Sequence, residues 1–452
     1  MHKICLTLPT NRACADTIEA IGREAAYAAH HFGVEVHLLV LDSADRPAYA
    51  RHARAVREAG LAPGVVAHHL DEAEQEVFLR AAIERAGLAD PGRVLDLMLP
   101  SAVSYGACTN RAFLIAAALG CRSVHRRDSD SRYQEHDGEP VFPVRHELAF
   151  LGKSAREAAA AVTEDALAAE HARHAEHAEH ADYADRPVVM VGGSFVGVPS
   201  VDLDDLRRRA PDVHREVVGL WAPSAWSDQE RAAMVEESFK GAGTEPFTRD
   251  HTVLALVDPM RVDMCNIAFD REVHERVPLP PATDTIGSDY FLFHLVHNAG
   301  LPGVLHNRHI VNFHTDERKT AEGFTAYQTR YAKFLLSMLH FRFLHDRMAQ
   351  EGASLLDGHH RVRAGRVAGL VRESVGLDDA ENVRRLDTLT RSYRTLGGAY
   401  AEFAELLLMK GPDLRDRARA DMEDFAHLVD AWAALVRACR ATPLRPPHHG
   451  EA

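Results

Sequence analysis

No basic excess, no paired-cysteine motif and no long apolar run occurs in this sequence, and each absence removes a class of function. Its 452 residues carry 52 Lys and Arg against 66 Asp and Glu, a formal net charge of -14, whereas a nucleic-acid surface needs a concentrated basic face. No nucleic-acid partner is expected. Six cysteines, Cys5, Cys14, Cys108, Cys121, Cys265 and Cys439, are scattered without a C-x-x-C pair. That argues against a zinc ribbon or a disulfide framework and reads them as small buried hydrophobes. No run of about 18 apolar residues is available to span a bilayer, and the apolar stretch in MHKICLTLPTNR is too short for a signal-peptide core. The expectation is a cytoplasmic protein with no transmembrane segment. Glycine is also missing where phosphate-binding loops need it: TLPTNRACAD, after the first strand, has none, and Gly192-Gly193-Ser194-Phe195-Val196-Gly197 is not a G-x-G-x-x-G fingerprint opening a long helix.

What is present is an ordinary globular composition, 46% apolar and 26% charged, in a chain long enough for two or three domains. Residues 3–8 read as a buried strand closed by Pro9-Thr10-Asn11-Arg12, residues 13–31 as a helix, and 34–41 as a second strand ending in Asp42-Ser43. Helices over 47–59 and 71–86, a strand over 94–99 and a helix after Asn110 continue the alternation to Asp128-Ser129-Asp130. This rhythm predicts an α/β fold with parallel strands. In such sheets ligands gather beyond the carboxyl ends of strands, where Thr10-Asn11-Arg12, Asp42, Asp128 and Asp130 all fall. Residues 154–185 are Ala/Glu/His-rich and include His171, His174, His177 and His180. Two or three of these imidazoles could share a helix face and bind a soft divalent metal, but without an apolar stripe the run reads first as an exposed helical linker. Strands at 188–191 and 252–257, a helix through Asn298 and a strand ending near Phe313-His314 follow. Beyond Tyr327 the pattern is helical almost to Arg440, broken at Gly358 and Gly411-Pro412.

Asp128 and Asp130, one residue apart at a strand end, are hard oxygen ligands suited to a Mg²⁺ or Mn²⁺ ion that is itself bound to substrate phosphates. Each candidate also has a structural reading. Asp289 would serve as a carboxylate at a helix N-terminus, and Asn110 as the cap of a helix beginning at Arg111. His314 is one of 29 histidines. Tyr327, Tyr331 and Phe334 either line an acceptor cleft or pack as core aromatics at helical spacing.

Taken in order, the strand end Pro9-Thr10-Asn11-Arg12, Asp42-Ser43, Gly106-x-x-x-Asn110-Arg111, Asp128-Ser129-Asp130, Asn266-x-Ala268-Phe269, Gly287-Ser288-Asp289-Tyr290 and the late His314 resemble glycosyltransferases of the GT-A fold. The likeness is to the family-two-like enzymes that use nucleotide-diphosphate sugars, and it is one of motif order over roughly residues 1–325. It implies a GT-A-like Rossmann-type mixed sheet flanked by helices, with a C-terminal all-helical appendage. The implied division is a nucleotide-binding half at 1–153, the Ala/Glu/His-rich linker at 154–186, an acceptor and metal half at 187–325, and the helical region at 326–445.

The resemblance further implies that Pro9, Thr10, Asn11, Arg12, Asp42 and Asn110 hold the donor nucleotide, that Asp128 faces the ribose or the metal, and that Asp130 ligates the metal. His314 would complete the metal shell, with His309 as fallback; an imidazole mildly favours Mn²⁺ over Mg²⁺. Asp289 would be the general base of an inverting enzyme or the acceptor-orienting residue of a retaining one, with Asp284 competing. The strand before the carboxylates reads Val124-His125-Arg126-Arg127 where the family has aliphatics; either the arginines flank the diphosphate or the strand is shorter. Acidic pairs of the family's acceptor site are replaced by Gly287-Ser288-Asp289. The implied activity is metal-dependent transfer of a sugar from a nucleotide-diphosphate-sugar to a small-molecule or glycan acceptor. A sugar-phosphate nucleotidyltransferase is disfavoured by the glycine-free first loop, and a non-catalytic α/β binding module by the presence of the metal-site carboxylates. Apolar stretches at 334–343 and 403–409 are long enough to pack on the catalytic domain or on a second subunit, forming a homodimer.

Overall fold

β1 (Lys3–Thr10) and β2 (Glu35–Asp42) are almost wholly buried aliphatic runs, the pattern of strands covered on both faces. They pair in parallel from Lys3 opposite Glu35 to Thr10 opposite Asp42. The computed structural model describes residues 2–167, 180–198, 203–222, 226–313 and 320–444. β3 (Val65–Leu70) extends the sheet beyond β2, and β4 (Ser123–Arg127) lies on the other side of β1, both in parallel. The crossovers are α1 (Ala15–Phe32), α2 (Arg46–Ala59), α3 (Glu72–Ala86), α4 (Pro91–Met98) and α5 (Tyr105–Leu119). Because the chain turns outward from β1 in both directions, the carboxyl ends of β1 and β4 open a crevice.

Beyond β4 lie β5 (Ser131–Tyr133), the hairpin β6 (Glu135–His136) and β7 (Glu139–Pro140), α6 (Val144–Phe150), β8 (Glu164–Asp165), β9 (Met190–Gly192) and β10 (Phe195–Gly197). There follow α7 (Pro211–Gly219), α8 (Asp228–Glu237), β11 (Thr252–Ala255), β12 (Asn266–Asp270), α9 (Phe291–Asn298), β13 (Gly303–His306) and β14 (Ile310–Asn312). Among the described residues the main sheet runs β3-β2-β1-β4-β12-β9-β13-β11-β8. β12 is antiparallel to both β4 and β9, and β11 to β13, so the sheet is mixed. A small sheet of β10, β14 and β5 sets Asn312 opposite Ser131, which braces the turn after β4.

The C-terminal helices α10 (Ala321–Glu351), α11 (Ala364–Val375), α12 (Ala380–Leu396) and α13 (Gly398–Arg440) pack on the helices that cover the sheet. The Trp432 indole N–H donates to the His274 carbonyl at 2.9 Å, Arg93 pairs with Asp424 at 2.7 Å, and the rings of Phe291 and Phe425 meet at 4.9 Å. One apolar core therefore runs from Phe113 and Phe269 to Phe425 and Trp432. The expected α/β architecture, a mixed sheet flanked by helices with a helical C-terminal region, is present. The cysteines are free and all but Cys108 are buried. No helix among the described residues is long and apolar enough to cross a membrane.

Local expectations need correction in three places. Residues 94–99 are not a strand; most of them lie in α4, because the Asp90 side chain accepts from the Arg93 N–H and Pro91 opens the first turn. Val94 and Met98, four residues apart, then bury one helical face. The helix carrying Asn110 begins earlier, at Tyr105 behind the cap Ser104, so Asn110 is not its cap. Gly411-Pro412 does not break the last helix: α13 runs through, and Gly411 lets it pass close to Leu386, whose Cδ1 would stand 3.1 Å from an added Cβ. Of the histidine run, His171, His174 and His177 lie outside the described residues.

Candidate functional site

The crevice is a cavity of about 1060 Å³ walled by Pro9, Thr10, Asn11 and Arg12 after β1, by Asp128, Ser129 and Asp130 after β4, and by Asp263 and Asp289 from across the sheet. Its first side is tied together locally. The Thr10 hydroxyl accepts from the Arg12 N–H at 3.2 Å, Thr17 of α1 donates to the Ser129 carbonyl at 3.3 Å, and Ser131 donates to the Asp128 carbonyl at 2.7 Å. Arg12 and Asp130 form an ion pair at 2.9 Å across the two strand ends.

Strand alternation explains the two arginines. All five residues of β4 are buried, and successive side chains leave opposite faces, so Arg126 and Arg127 part company. Arg127 meets Glu24 of α1 at 2.8 Å and Glu147 of α6 at 2.9 Å, with His125 on the same face 2.7 Å from Glu147. Arg126, only 3% exposed, belongs to the cavity wall. Its Nη2 lies 3.0 Å from Asp128 and its Nη1 3.9 Å from Asp289. Arg126 Nε and Nη1 have no hydrogen-bond partner among the described residues. Unmatched buried donors cost about 1–3 kcal/mol each, so this is a place that an acceptor oxygen from outside would complete.

The carboxylates around Arg126 repel one another. Burial pushes Asp128 up to about 6, Arg126 opposes, and Asp130, Asp263 and Asp289 add to the rise. Burial likewise lifts Asp289 to about 6, against Arg126 and with Asp263. Asp289 sits on the single turn Ser288–Tyr290 just before α9, entered through Gly287 at φ 72°, a left-handed value that favours glycine. Asp263 accepts from the Cys265 N–H at 2.9 Å and from the Tyr290 hydroxyl.

Other predicted residues stand elsewhere. Leu41 and Ser43 line the cavity, but Asp42 is turned away from it. Its oxygens accept from His52 Nδ1 at 2.7 Å, His69 Nε2 at 2.8 Å and the Ala44 N–H at 2.8 Å. Burial works against its charge, yet these hydrogen bonds together hold the carboxyl below its ordinary value. Asp42, His52 and His69 are close enough to share an ion. However, His52 Nε2 accepts the Cys14 N–H at 2.9 Å, which assigns the ring proton to Nδ1 and leaves no lone pair there for a metal. The trio is a hydrogen-bonded brace under the β1 loop. Asn110 is fully buried and exchanges two 2.8 Å hydrogen bonds with the Leu279 backbone, so it fixes the segment that leads to Asp289.

His309 is not on the cavity wall; its Nδ1 accepts from the Ser194 N–H at 3.0 Å and burial lowers its pKa to about 4. His314 lies outside the described residues. Asp284 has φ 47° and its N–H donates to the Val103 carbonyl at 2.7 Å. Tyr327 and Phe334 line the cavity, whereas Tyr331 is 1% exposed and packs in the core. Sequence reasoning missed Asp263, whose only local signal is its place before β12. It also missed Trp221, Trp226, His294, Arg342 and His345, which come to the far wall from helices and loops remote in sequence.

Fold and cleft together define an α/β protein with an acidic ligand cavity, built around a buried arginine, at the switch point of a mixed sheet. Over residues 2–448 the sequence matches the family described as "Family of unknown function (DUF6271)", and the chain belongs to that family. No curated protein matches it. Among solved structures it is similar to "Mannosyltransferase PcManGT from Pyrobaculum calidifontis in complex with GDP-Man and Mn2+", at 13% identity and a TM-score of 0.35, over 94% of this chain and 86% of that one. A likeness this remote carries no argument about activity.

Proposed function

We propose that the protein is a glycosyltransferase that takes a sugar from a nucleotide-diphosphate donor and passes it to an acceptor hydroxyl with the help of a divalent cation. The observation that carries this reading is Arg126, buried beside Asp128 and Asp289 at the switch point with two donors unmatched. Clustered carboxylates alone suit a cation, and an unsatisfied guanidinium alone suits an anion. A metal-bound diphosphate presents both charges at once.

The donor set fits Mn²⁺ or Mg²⁺. Asp128 and Asp130 offer hard oxygens, and the neighbouring carboxylates that add to the burial-driven rise of Asp128 repel it in a way that a cation relieves. Such ions are commonly held by one or two carboxylates plus substrate phosphates; His314 is the proposed further ligand. When bound, the ion would neutralise charge developing on the departing diphosphate. Pro9 to Arg12 hold the nucleoside at the end of β1, with the Asp42 brace and the Asn110 clamp positioning the walls. Residues 1–153 form the nucleotide half and 187–325 the acceptor and metal half. Asp289 removes the proton from the acceptor hydroxyl as that oxygen attacks the anomeric carbon and the nucleotide diphosphate leaves, the general-base step of an inverting transfer.

Thermal denaturation against a panel of nucleotide-diphosphate sugars, with and without Mn²⁺, tests this. A true donor at about a hundred times its Kd adds about 2.7 kcal/mol of stability, seen as a raised Tm. Asp130→Ala is expected to keep the unliganded Tm and lose the metal-dependent increment. No stabilisation by any nucleotide or nucleotide-sugar refutes the donor site, and an unchanged increment in the variant refutes the role of Asp130.

A further inference from the structure

Besides its carboxylates the cavity has an aromatic side, or lobe, where the rings of Trp221, Phe239 and Phe334 lie against one another. Trp221, Trp226, Phe239, Phe334, Met338 and Phe341 supply most of it. The exposed Glu230 and Glu237 also line the cavity, while the polar groups among the aromatic rings are constrained. Arg342 lies against both indoles, its guanidinium carbon 5.0 Å and 5.5 Å from their ring centres, with Nε bonded to the Trp221 carbonyl at 3.2 Å. His294 and His345 stack face to face at 3.5 Å; burial first, then Arg342 and His297 for His294, and His294 and Arg342 for His345, lower both from the ordinary histidine value, so both are neutral at pH 7. The Trp221 indole N–H and His345 Nδ1 are buried with no hydrogen-bond partner among the described residues. The whole cavity, about 1060 Å³, is at the upper end of what one small ligand occupies, about 300–1,000 Å³, which leaves room for a second molecule beside the donor.

Resting on the glycosyltransferase reading, we propose that this lobe holds the acceptor and that the acceptor is a planar aromatic or polycyclic molecule bearing the hydroxyl to be glycosylated. A glycan would bring a dense set of hydroxyls, each costly to bury unmatched, against a wall made mostly of indole, phenyl and thioether groups. A flat aromatic ring matches the indole and phenyl faces, and one or two ring substituents satisfy the Trp221 N–H and His345 Nδ1. Asp289 lines the same cavity, and Phe291 and His294 of the same segment share its wall.

The three tryptophans make a direct test. Trp221 and Trp226 line the lobe, while Trp432 is fully buried against His274 in the core. Absorption-corrected tryptophan fluorescence of the full chain therefore reports occupancy without turnover. We expect 2-naphthol to quench it saturably and cellotriose to leave it unchanged at the same concentrations. Trp226→Ala and Tyr327→Ala, at partly exposed wall positions, are expected to weaken naphthol binding about tenfold, the size of one lost aromatic contact, with nucleotide-sugar stabilisation unchanged. Binding of cellotriose in place of naphthol, or naphthol affinity unchanged from the wild type in both variants, overturns the inference. If nucleotide-sugars stabilise the protein and naphthol does not bind, the transferase reading stands and the aromatic acceptor falls. If naphthol binds and no nucleotide-sugar stabilises, the transferase reading falls and the acceptor assignment falls with it.

Discussion

Arg126 and Arg127 are neighbours in sequence with opposite fates, and the difference between them organises the site. Arg127 is neutralised by Glu24 and Glu147, whereas Arg126 is shared loosely among carboxylates that also crowd one another. Burial, opposed by Arg126 and reinforced by Asp263, sets the pH behaviour of Asp289. Its carboxyl, raised from 3.8 to about 6, is protonated and unable to accept a proton below that value, so kcat/KM should fall about tenfold per pH unit below pH 6 and level off above it. The same sign governs stability: a folded-state pKa above the unfolded one means that ionisation, completed as pH rises from about 3.8 to 6, costs the fold. Asp289→Asn is therefore expected to keep or raise Tm at pH 7 while lowering kcat by about 10²–10⁴, with donor-induced stabilisation intact. A flat rate profile between pH 5 and 7, or an Asn variant of near wild-type kcat, contradicts the base assignment. Asp128, Asp130 and Asp289 were legible as candidates because carboxylates at strand and helix ends leave a local pattern. Arg126 was visible only as an anomaly, since the face it takes depends on the register of β4.

Between elements, the closest approach that holds the site is that of α5 to the chain before Asp289. A Cβ added at Gly106 would stand 1.9 Å from the Pro280 carbonyl oxygen, a backbone atom that cannot move aside as a side chain tip can. Gly106→Ala is expected to destabilise the protein by about 1–3 kcal/mol and to loosen the Asn110 clamp on Leu279. An unchanged urea midpoint would show that the helix and the segment separate freely. Element types followed the period of apolar residues for β1, β2, α1 and α3. The period failed at 94–99, where a short apolar run fits a strand or a helix equally and the Asp90-Pro91 start decides. It failed again at Gly411-Pro412, where packing against Leu386 overrides a local breaker.

For the whole molecule, the C-terminal helices complete the core of the α/β sheet. Trp432, Phe425 and Asp424 of α13 meet His274, Phe291 and Arg93, and Lys333 of α10, 1% exposed, pairs with Asp421 at 2.7 Å. Removing residues from 398 onward would expose that apolar face and strip Lys333 of its carboxylate, a loss of several kcal/mol or more. The shortened chain is expected to aggregate or to unfold without a cooperative transition by calorimetry. A shortened chain with a sharp transition would mean that the helices are dispensable to the core.

Strand and helix periods, the absence of basic, disulfide and membrane patterns, and the positions of carboxylates at strand ends were determined by the sequence, because each rests on residues close together in the chain. Which carboxylates share one space, which arginine enters it, and that its far end is aromatic were decided by the tertiary structure alone. The physical reason is the order of the sheet: β12 inserts beside β4 and brings Asp263 to Asp128. Helix packing then carries Trp221, His294 and His345 to a cavity whose other wall, ending at Asp130, was made some ninety residues or more earlier.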